Sequence, residues 1–211
     1  MSEVSPTILH EPWPSFERQQ MAVSFSMWVF IASEVLFFGG LFLAYTVYRH
    51  LDAEAFKIAS RETDVFYGAT NTAILLTSSL TMAMSVHASE HGLRRLTIRC
   101  LTATIMFGLA FLVIKGFEYH SDLDKGLWPG PDFPLHPATT QLFWAFYWIA
   151  TGVHAIHLSV GIGIVTTITI RLARGTLLVK ASTFEGAALY WHLVDTIWII
   201  LLPMLYLVGR T

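Results

Sequence analysis

Five long stretches of this chain are predominantly apolar, and short polar connections separate them. A helix that spans a membrane needs about 20 mostly apolar residues, each of which adds about 1.5 Å of length. All five stretches meet that requirement, so the pattern predicts an all-α integral membrane protein with a bundle of five transmembrane helices. The predicted spans lie near Ser24–Tyr48, Val65–His87, Thr97–Glu118, Gln141–Ile170 and Gly186–Val208.

The second of these stretches is the least hydrophobic. It is rich in Thr, Ser and Met, yet it has no charged residue between Asp64 and Glu90. Between the third and fourth stretches, the segment SDLDKGLWPGPDFPLHP combines Pro and Gly with acidic residues and predicts an exposed loop. We therefore divide the chain into an N-terminal segment, residues 1–20, which we expect in the cytoplasm, and a single transmembrane domain, residues 21–211.

The composition agrees with a membrane location. Hydrophobic residues make up 54% of the chain, charged residues only 13%, and the mean hydropathy is +0.55, whereas soluble domains contain about 25% charged residues. The net charge of -2 gives no indication of a nucleic-acid partner, and a lone cysteine, Cys100, excludes an intrachain disulfide framework. The first twenty residues hold three acids and one Arg. They are therefore unlike a basic signal peptide, and we expect the first span to be retained.

Basic residues in the connections indicate how the chain crosses the membrane, because Lys and Arg accumulate on the cytoplasmic side. Seven of them lie on the side of the N-terminus and six on the other side, where eight acidic residues also lie. Both counts favour a cytoplasmic N-terminus. The seven are Arg18, Arg94, Arg95, Arg99, Arg171, Arg174 and Lys180.

Five ionisable residues fall at similar depths inside the predicted spans. They are Glu34, His154, His157, His192 and Asp195. An ionised side chain at the bilayer centre costs roughly 2.5–3.5 kcal/mol even on the insertion scale, and such residues usually face the bundle interior and find partners there. We therefore predict an intramembrane polar network that contains the three histidines and Asp195, together with Glu118.

The residue types leave several roles open for this layer. Interhelical hydrogen bonding is the simplest role of the His and Asp residues. A metal site formed by the three histidines and Asp195 is an alternative, and so is haem ligation by His154 and His192. Glu34 is either a neutral hydrogen-bond donor or a proton-exchanging site, while Lys115 and Glu118 form an i,i+3 pair that fits an interfacial salt bridge. The sequence contains no nucleotide-binding glycine motif and no serine nucleophile motif with a matching histidine, so we expect no catalytic residue.

Several motifs in this chain, taken in order, resemble those of one family of membrane proteins. They are FIASEVLFFGG, LLTSSLTMA, GFEYH, TGVHAIHLSVG and FEGAALYWHLVDTIWIILLPMLYLVGR. On these motifs the chain resembles subunit III of the haem–copper oxidases, the cytochrome c oxidase subunit 3 family, over roughly residues 20–210. It is similar to the short bacterial form of that family, which has five spans.

This resemblance implies a non-catalytic core subunit of a proton-pumping aa3-type cytochrome c oxidase in the bacterial inner membrane. The chain itself would bind no haem and no metal, because the haem and copper are expected in partner subunits. Its main contact would be subunit I, with subunit II in the same complex. The family's helices form a V-shaped cleft that holds phospholipids, so bound phospholipid is expected as well.

The resemblance also assigns roles to single residues. Glu34 is expected in the membrane near the lipid cleft, and Arg171, fourteen residues after His157, is expected to meet a lipid phosphate. His10, before the first span, is expected near a headgroup. The subunit as a whole is expected to sustain proton uptake into subunit I and to prevent loss of the active site during turnover.

Related and unrelated functions remain as alternatives. Within the wider family, these are subunit III of a quinol oxidase and the accessory protein of nitric oxide reductase. In a different class, an independent proton channel or transporter would use Glu34, the histidines and Asp195 as a relay. A haem-binding cytochrome b is a further alternative.

Overall fold

The computed structural model describes residues 16–131, 133–176 and 181–210, and within these ranges the secondary structure is helical without β-strands. His10 and most of the predicted N-terminal segment lie outside the described residues. A π-helical turn over Pro203–Leu207 and a 3₁₀ turn over Val208–Arg210 follow the last α-helix. The α-helices are α1 (Phe16–Leu51), α2 (Ala53–Arg61), α3 (Val65–Glu90), α4 (Arg94–Asp124), α5 (Thr140–Ala173) and α6 (Ala181–Leu202).

Four helical segments within the described residues are long and apolar enough to cross a membrane. They are Ser24–Leu51, Arg94–Asp124, Thr140–Ala173 and Phe184–Arg210. The prediction of a helical membrane bundle is therefore confirmed, but five spans are not shown. Helix α3 coincides with the second predicted span, yet its hydroxyl-rich sequence keeps its hydropathy lower than that of the other four.

The hydroxyl groups of α3 are largely satisfied within its own backbone. Thr72 donates to the carbonyl of Gly68 and Thr77 to that of Ala73, both at 2.8 Å. Such bonds to the preceding turn lower the polarity that a Ser or Thr side chain presents to its surroundings. Two of the hydroxyls also accept hydrogen bonds from tryptophans of α6: Trp191 donates to Ser78 and Trp198 donates to Thr72, each at 3.1 Å. The polar face of α3 thus packs against α6.

A tight turn joins α3 to α4. Gly92 has a φ of +68°, a left-handed conformation that glycine adopts without strain. The amide of Leu93 donates to the carbonyl of Ala88 at 2.9 Å, which ends α3. Because only three residues separate the two helices, α3 and α4 run antiparallel. Helix α5 packs against both α4 and α6, so the four helices α3 to α6 form the body of the bundle.

A short helix that sequence analysis did not predict, α2, packs against the C-terminal turns. The Ser60 hydroxyl donates to the carbonyl of Leu205 at 3.1 Å and accepts from the amide of Gly209 at 3.2 Å. Arg61 donates from its Nε to the carbonyl of Gly209 at 3.0 Å. These bonds satisfy backbone groups at the end of the last span that have no partner within the helix.

Helix α1 is the most exposed helix of the chain. Phe38 and Tyr45 are its buried hydrophobic side chains, and Tyr45 donates to the carbonyl of Met204. Large apolar side chains such as Phe25, Leu36 and Leu43 are exposed. Exposed apolar surface on a membrane helix lies against lipid or against another protein. Helix α1 therefore provides much of the surface that this chain offers to its surroundings.

Candidate functional site

Glu34 of α1 and His157 of α5 form an ion-pair contact between these helices. The Oε2 atom of Glu34 lies 3.0 Å from Nε2 of His157, and the two side chains are 16% and 21% exposed. The other ring nitrogen of His157, Nδ1, lies 2.9 Å from the carbonyl oxygen of Val153. A carbonyl only accepts, so Nδ1 carries a hydrogen. Nε2 then faces the carboxyl group of Glu34 at an ion-pair distance, although the two atoms do not meet the geometry of a hydrogen bond.

Aromatic side chains surround this pair. The ring of Phe38 lies edge-on to His157, with 5.5 Å between the ring centroids. Tyr190 of α6 donates to the carbonyl of His157 at 2.9 Å and stacks on Phe30 of α1, with 5.8 Å between the ring centroids. The pair therefore connects α1 to α5 beside α6, in partial contact with the outer surface of the bundle.

His154, one helical turn before His157, has different surroundings. It is fully buried, and its ring lies 5.6 Å from Phe111 and 5.1 Å from Trp198, measured between ring centroids. Neither ring nitrogen has a hydrogen-bond partner among the described residues. His154 is therefore packed among aromatic side chains in the interior of the bundle.

His192 and Asp195, which lie three residues apart on α6, do not pair with each other. Nδ1 of His192 lies 2.7 Å from the Ser79 hydroxyl of α3. The carboxyl group of Asp195 is buried and makes no hydrogen bond of good geometry within the described part of the chain. The predicted polar layer is thus divided among separate contacts, with Glu34 and His157 in one and His192 in another.

A second cluster lies at the far end of α4, around Glu118, which the sequence placed in the intramembrane polar network and paired with Lys115. Lys115, Glu118 and Asp122 occupy one face of the helix and are 2%, 1% and 2% exposed. Nζ of Lys115 lies 3.1 Å from Oε2 of Glu118. The pair is therefore a buried interaction of the bundle interior. The spacing i, i+3, i+7 was the available signal, because it places all three side chains on one face of a helix that continues to Asp124.

Two tyrosines that sequence analysis missed complete this cluster. Lys115 donates to the hydroxyls of Tyr147 on α5, at 2.9 Å, and Tyr206 after α6, at 2.7 Å. The Tyr206 hydroxyl donates to Oε1 of Glu118 at 2.6 Å. The ammonium group of Lys115 thus has three partners on three segments of the chain. This arrangement satisfies a buried charge, which otherwise is strongly destabilising.

The contacts of Tyr147 bring two acids of α4 to one hydroxyl group. Its hydroxyl lies 2.9 Å from Oε1 of Glu118 and 2.7 Å from Oδ2 of Asp122. A phenol has one proton, so the two carboxyl groups compete for a single donor.

Arg171 lies at the opposite end of the bundle from this cluster, in the last turn of α5, and is exposed. It is fourteen residues beyond His157, which places the two residues on similar faces of α5. Nearby, Arg94 donates to the carbonyls of Leu172 and Ala173 and so connects the start of α4 to the end of α5.

The fold and these contacts define a polytopic helical membrane protein whose buried ionisable residues join its helices. Residues 16–210 match the family model for cytochrome c oxidase subunit III. The chain belongs to the cytochrome c oxidase subunit III family, and the family resemblance seen in the sequence is confirmed.

Three relatives illustrate the range of this family. The chain is 31% identical over 205 residues to a heme-copper oxidase subunit I+III of Aeropyrum pernix, an alignment that covers 94% of this chain and 24% of that protein. It is 26% identical to a probable quinol oxidase subunit 3 of Staphylococcus haemolyticus, which covers 86% of this chain and 87% of the relative. It is 29% identical to a cytochrome c oxidase subunit 3 of Corynebacterium diphtheriae, with 88% of each chain covered.

Proposed function

We propose that this chain is a non-catalytic subunit III of a proton-pumping aa3-type cytochrome c oxidase, in which it packs on subunit I and supports proton uptake and stability during turnover. The observation that carries the proposal is the Glu34–His157 contact, which places a carboxyl group beside an imidazole close to the outer surface of α1. A carboxyl–imidazole pair of this kind exchanges protons without leaving an uncompensated charge in the membrane. Haem and copper belong to the partner subunits in this proposal.

Contact with subunit I is supported by two observations. The Aeropyrum relative, a heme-copper oxidase subunit I+III, joins the two subunits in one protein, and its similarity to this chain extends over 94% of the chain. In addition, α1 exposes large apolar side chains, as do α3 and α4 at Leu80, Met106 and Phe117. Subunit II would belong to the same complex, and the bacterial inner membrane is the corresponding location.

The proposed topology has five spans with a cytoplasmic N-terminus. Helix α3 has 26 residues, a length of about 39 Å. It forms an antiparallel hairpin with α4, which is one of the four apolar segments. The length of α3 and its tight antiparallel connection to α4 support α3 as the fifth span, crossing in the direction opposite to α4.

Phospholipid is proposed to lie along α1 and α5, with its phosphate at Arg171 and its acyl chains directed towards the Glu34–His157 pair. Gly39 and Gly40 leave open space beside α1, because no atom lies within 4 Å of a Cβ placed on either residue. This region would form one side of the expected V-shaped cleft. His10 remains predicted to approach a headgroup.

The proton role is tested with Glu34→Gln in the assembled oxidase. We expect slower proton uptake and an earlier loss of activity during sustained turnover, because glutamine can neither take up nor release a proton beside His157. Glu54→Gln, which changes an exposed carboxylate outside the four apolar segments, serves as the matched control. Equal proton uptake and lifetime in both variants would contradict the proposal.

The lipid role is tested by mass spectrometry of the purified complex. Arg171→Ala should lose a bound phospholipid, whereas Arg174→Ala, an exposed arginine at the same helix end, should retain it. Equal lipid content in the two variants would exclude Arg171 as the headgroup contact.

A quinol oxidase is the second candidate, because the Staphylococcus relative carries that name at a similar level of identity. The two oxidases differ in subunit II, which contains a dinuclear copper centre only in the cytochrome c type. The subunit composition and optical spectrum of the purified complex distinguish them. The same purification tests the accessory protein of nitric oxide reductase and the independent proton channel, since a channel would be isolated without haem-bearing subunits.

A further inference from the structure

We propose that His87, Glu90 and His91, at the end of α3, form a binding site for a divalent transition metal, with Zn²⁺ as the fitting ion. Each residue offers one ligand atom, and these three atoms lie within 4.8 Å of one another. All three side chains are exposed. Two imidazoles and one carboxylate are a ligand set that proteins use for Zn²⁺ with a fourth position left open for water.

The measured separations agree with this ligand set. Zn²⁺ binds histidine nitrogen and carboxylate oxygen at about 2.0–2.2 Å, so two ligand atoms on a tetrahedral ion lie about 3.4 Å apart. Nδ1 of His87 lies 3.5 Å from Oε2 of Glu90. The rings of His87 and His91 are also adjacent, with 4.4 Å between their centroids. Only a small movement of side chains is needed for all three to reach one ion.

The hydrogen bond of His91 leaves the correct nitrogen free. Nδ1 of His91 lies 2.9 Å from the carbonyl oxygen of His87 and must donate to it, because a carbonyl only accepts. In the neutral imidazole, Nε2 then carries the lone pair. Histidine ligands in metal sites usually donate their second nitrogen in this way, which fixes both the tautomer and the ring orientation. A simple ion pair between His87 and Glu90 does not require this orientation of His91.

The surroundings position the third ligand and give an ion access to it. His91 precedes Gly92 in the tight turn, where backbone bonds to Ser89 and Ala88 fix the chain. An open pocket of about 410 Å³ lies beside the two histidines and is otherwise lined by apolar residues. The apolar wall is formed by Ala83, Met84, Ala88, Leu93 and Leu96.

The site is tested by titrating the purified, metal-depleted oxidase complex with Zn²⁺ and following binding by calorimetry. His91→Ala and His87→Ala should each remove one bound Zn²⁺ or weaken its binding by at least about tenfold, since even changes outside the ligand shell cost about 10–100-fold. His120→Ala is the matched control. It removes an exposed imidazole whose Nδ1 lies 2.9 Å from a single carboxylate, that of Asp124, and it should leave binding unchanged.

A further variant distinguishes a loss of Zn²⁺ binding from a defect in assembly of the complex. Glu90→Gln keeps both histidines and the size of the side chain, and it should weaken Zn²⁺ binding while haem content and turnover remain unchanged. Binding that is identical in the wild type and the three site variants would overturn the proposal. An equal loss in His120→Ala would also overturn it, because it would show unspecific binding to surface histidines.

Discussion

Two ion pairs of this chain have the same spacing along a helix and opposite surroundings. Lys115 and Glu118 are almost fully buried, whereas Lys57 and Glu54 are exposed, with Nζ 3.2 Å from Oε1 of the glutamate. Removing one partner of a buried pair leaves an uncompensated charge, while an exposed pair contributes little because water screens it. The comparison separates the effect of burial from that of the pair itself.

We predict that Lys115→Met lowers the free energy of unfolding by about 3–5 kcal/mol, because Glu118 loses its partner in the bundle interior. Lys57→Met should change it by less than about 1 kcal/mol. Unfolding of the purified protein in detergent measures both. Similar stabilities of the two variants would show that the Lys115 cluster is open to water.

The two carboxyl groups beside the Tyr147 hydroxyl give a spectroscopic prediction. Because two ionised acids at one buried site repel each other, we expect one of Glu118 and Asp122 to hold a proton. Infrared spectra should then contain the carbonyl band of a neutral carboxyl group that Asp122→Asn removes. Asp124→Asn, which changes an exposed acid one half-turn further on, should leave the band in place. A spectrum unaffected by Asp122→Asn would mean that both acids are ionised.

At the scale of elements, the packing of α4 depends on a glycine that faces other helices. A Cβ on Gly108 would lie 3.0 Å from the Trp191 ring and 3.1 Å from Ile162, whereas a Cβ on Gly116 of the same helix would have no atom within 4 Å. Sequence alone does not distinguish the two positions, because both lie in the same apolar helix. The side chains of α5 and α6 that lie beside Gly108, and that are absent beside Gly116, distinguish the two positions.

Gly108→Leu should therefore destabilise the protein by about 1–3 kcal/mol, the usual cost of overpacking a core. Gly116→Leu should have a much smaller effect, since its side chain enters open space. Thermal unfolding of both variants checks this. Equal destabilisation would contradict the importance of close packing at Gly108, because helix propensity by itself favours leucine over glycine at both positions.

Sequence reasoning at this scale located the long helices, since apolar runs are a strong signal, but it missed α2. Helix α2 is short and is capped by Asp52, whose side chain accepts from the amide of Ala55. Its stability depends on Ser60 and Arg61 bonding to the C-terminal turns, which lie about 145 residues later in the chain. Local sequence carries no information about such distant partners.

For the whole molecule, the proposed topology makes a prediction about the two ends of α3. In a Cys100→Ser background, Glu62→Cys should react with a membrane-impermeant thiol reagent added to intact cells. Arg95→Cys should react only after permeabilisation. Both positions are exposed, so access depends only on the side of the membrane. Labelling of both positions from the same side would contradict the proposal that α3 spans the membrane. Labelling of Arg95→Cys in intact cells, with Glu62→Cys labelled only after permeabilisation, would show the opposite orientation of the chain.

The sequence by itself determined that this chain is a membrane helical bundle of the subunit III family, because apolar length and ordered motifs do not depend on tertiary contacts. It also identified Glu34 and His157 as residues that need partners within the membrane. Only the tertiary structure decided that these two residues pair with each other, that His154 is enclosed by aromatic rings, and that Lys115 joins Tyr147 and Tyr206 in the interior. The partners lie on different helices, and a helical pattern specifies the face of a residue but not the helix that will cover it.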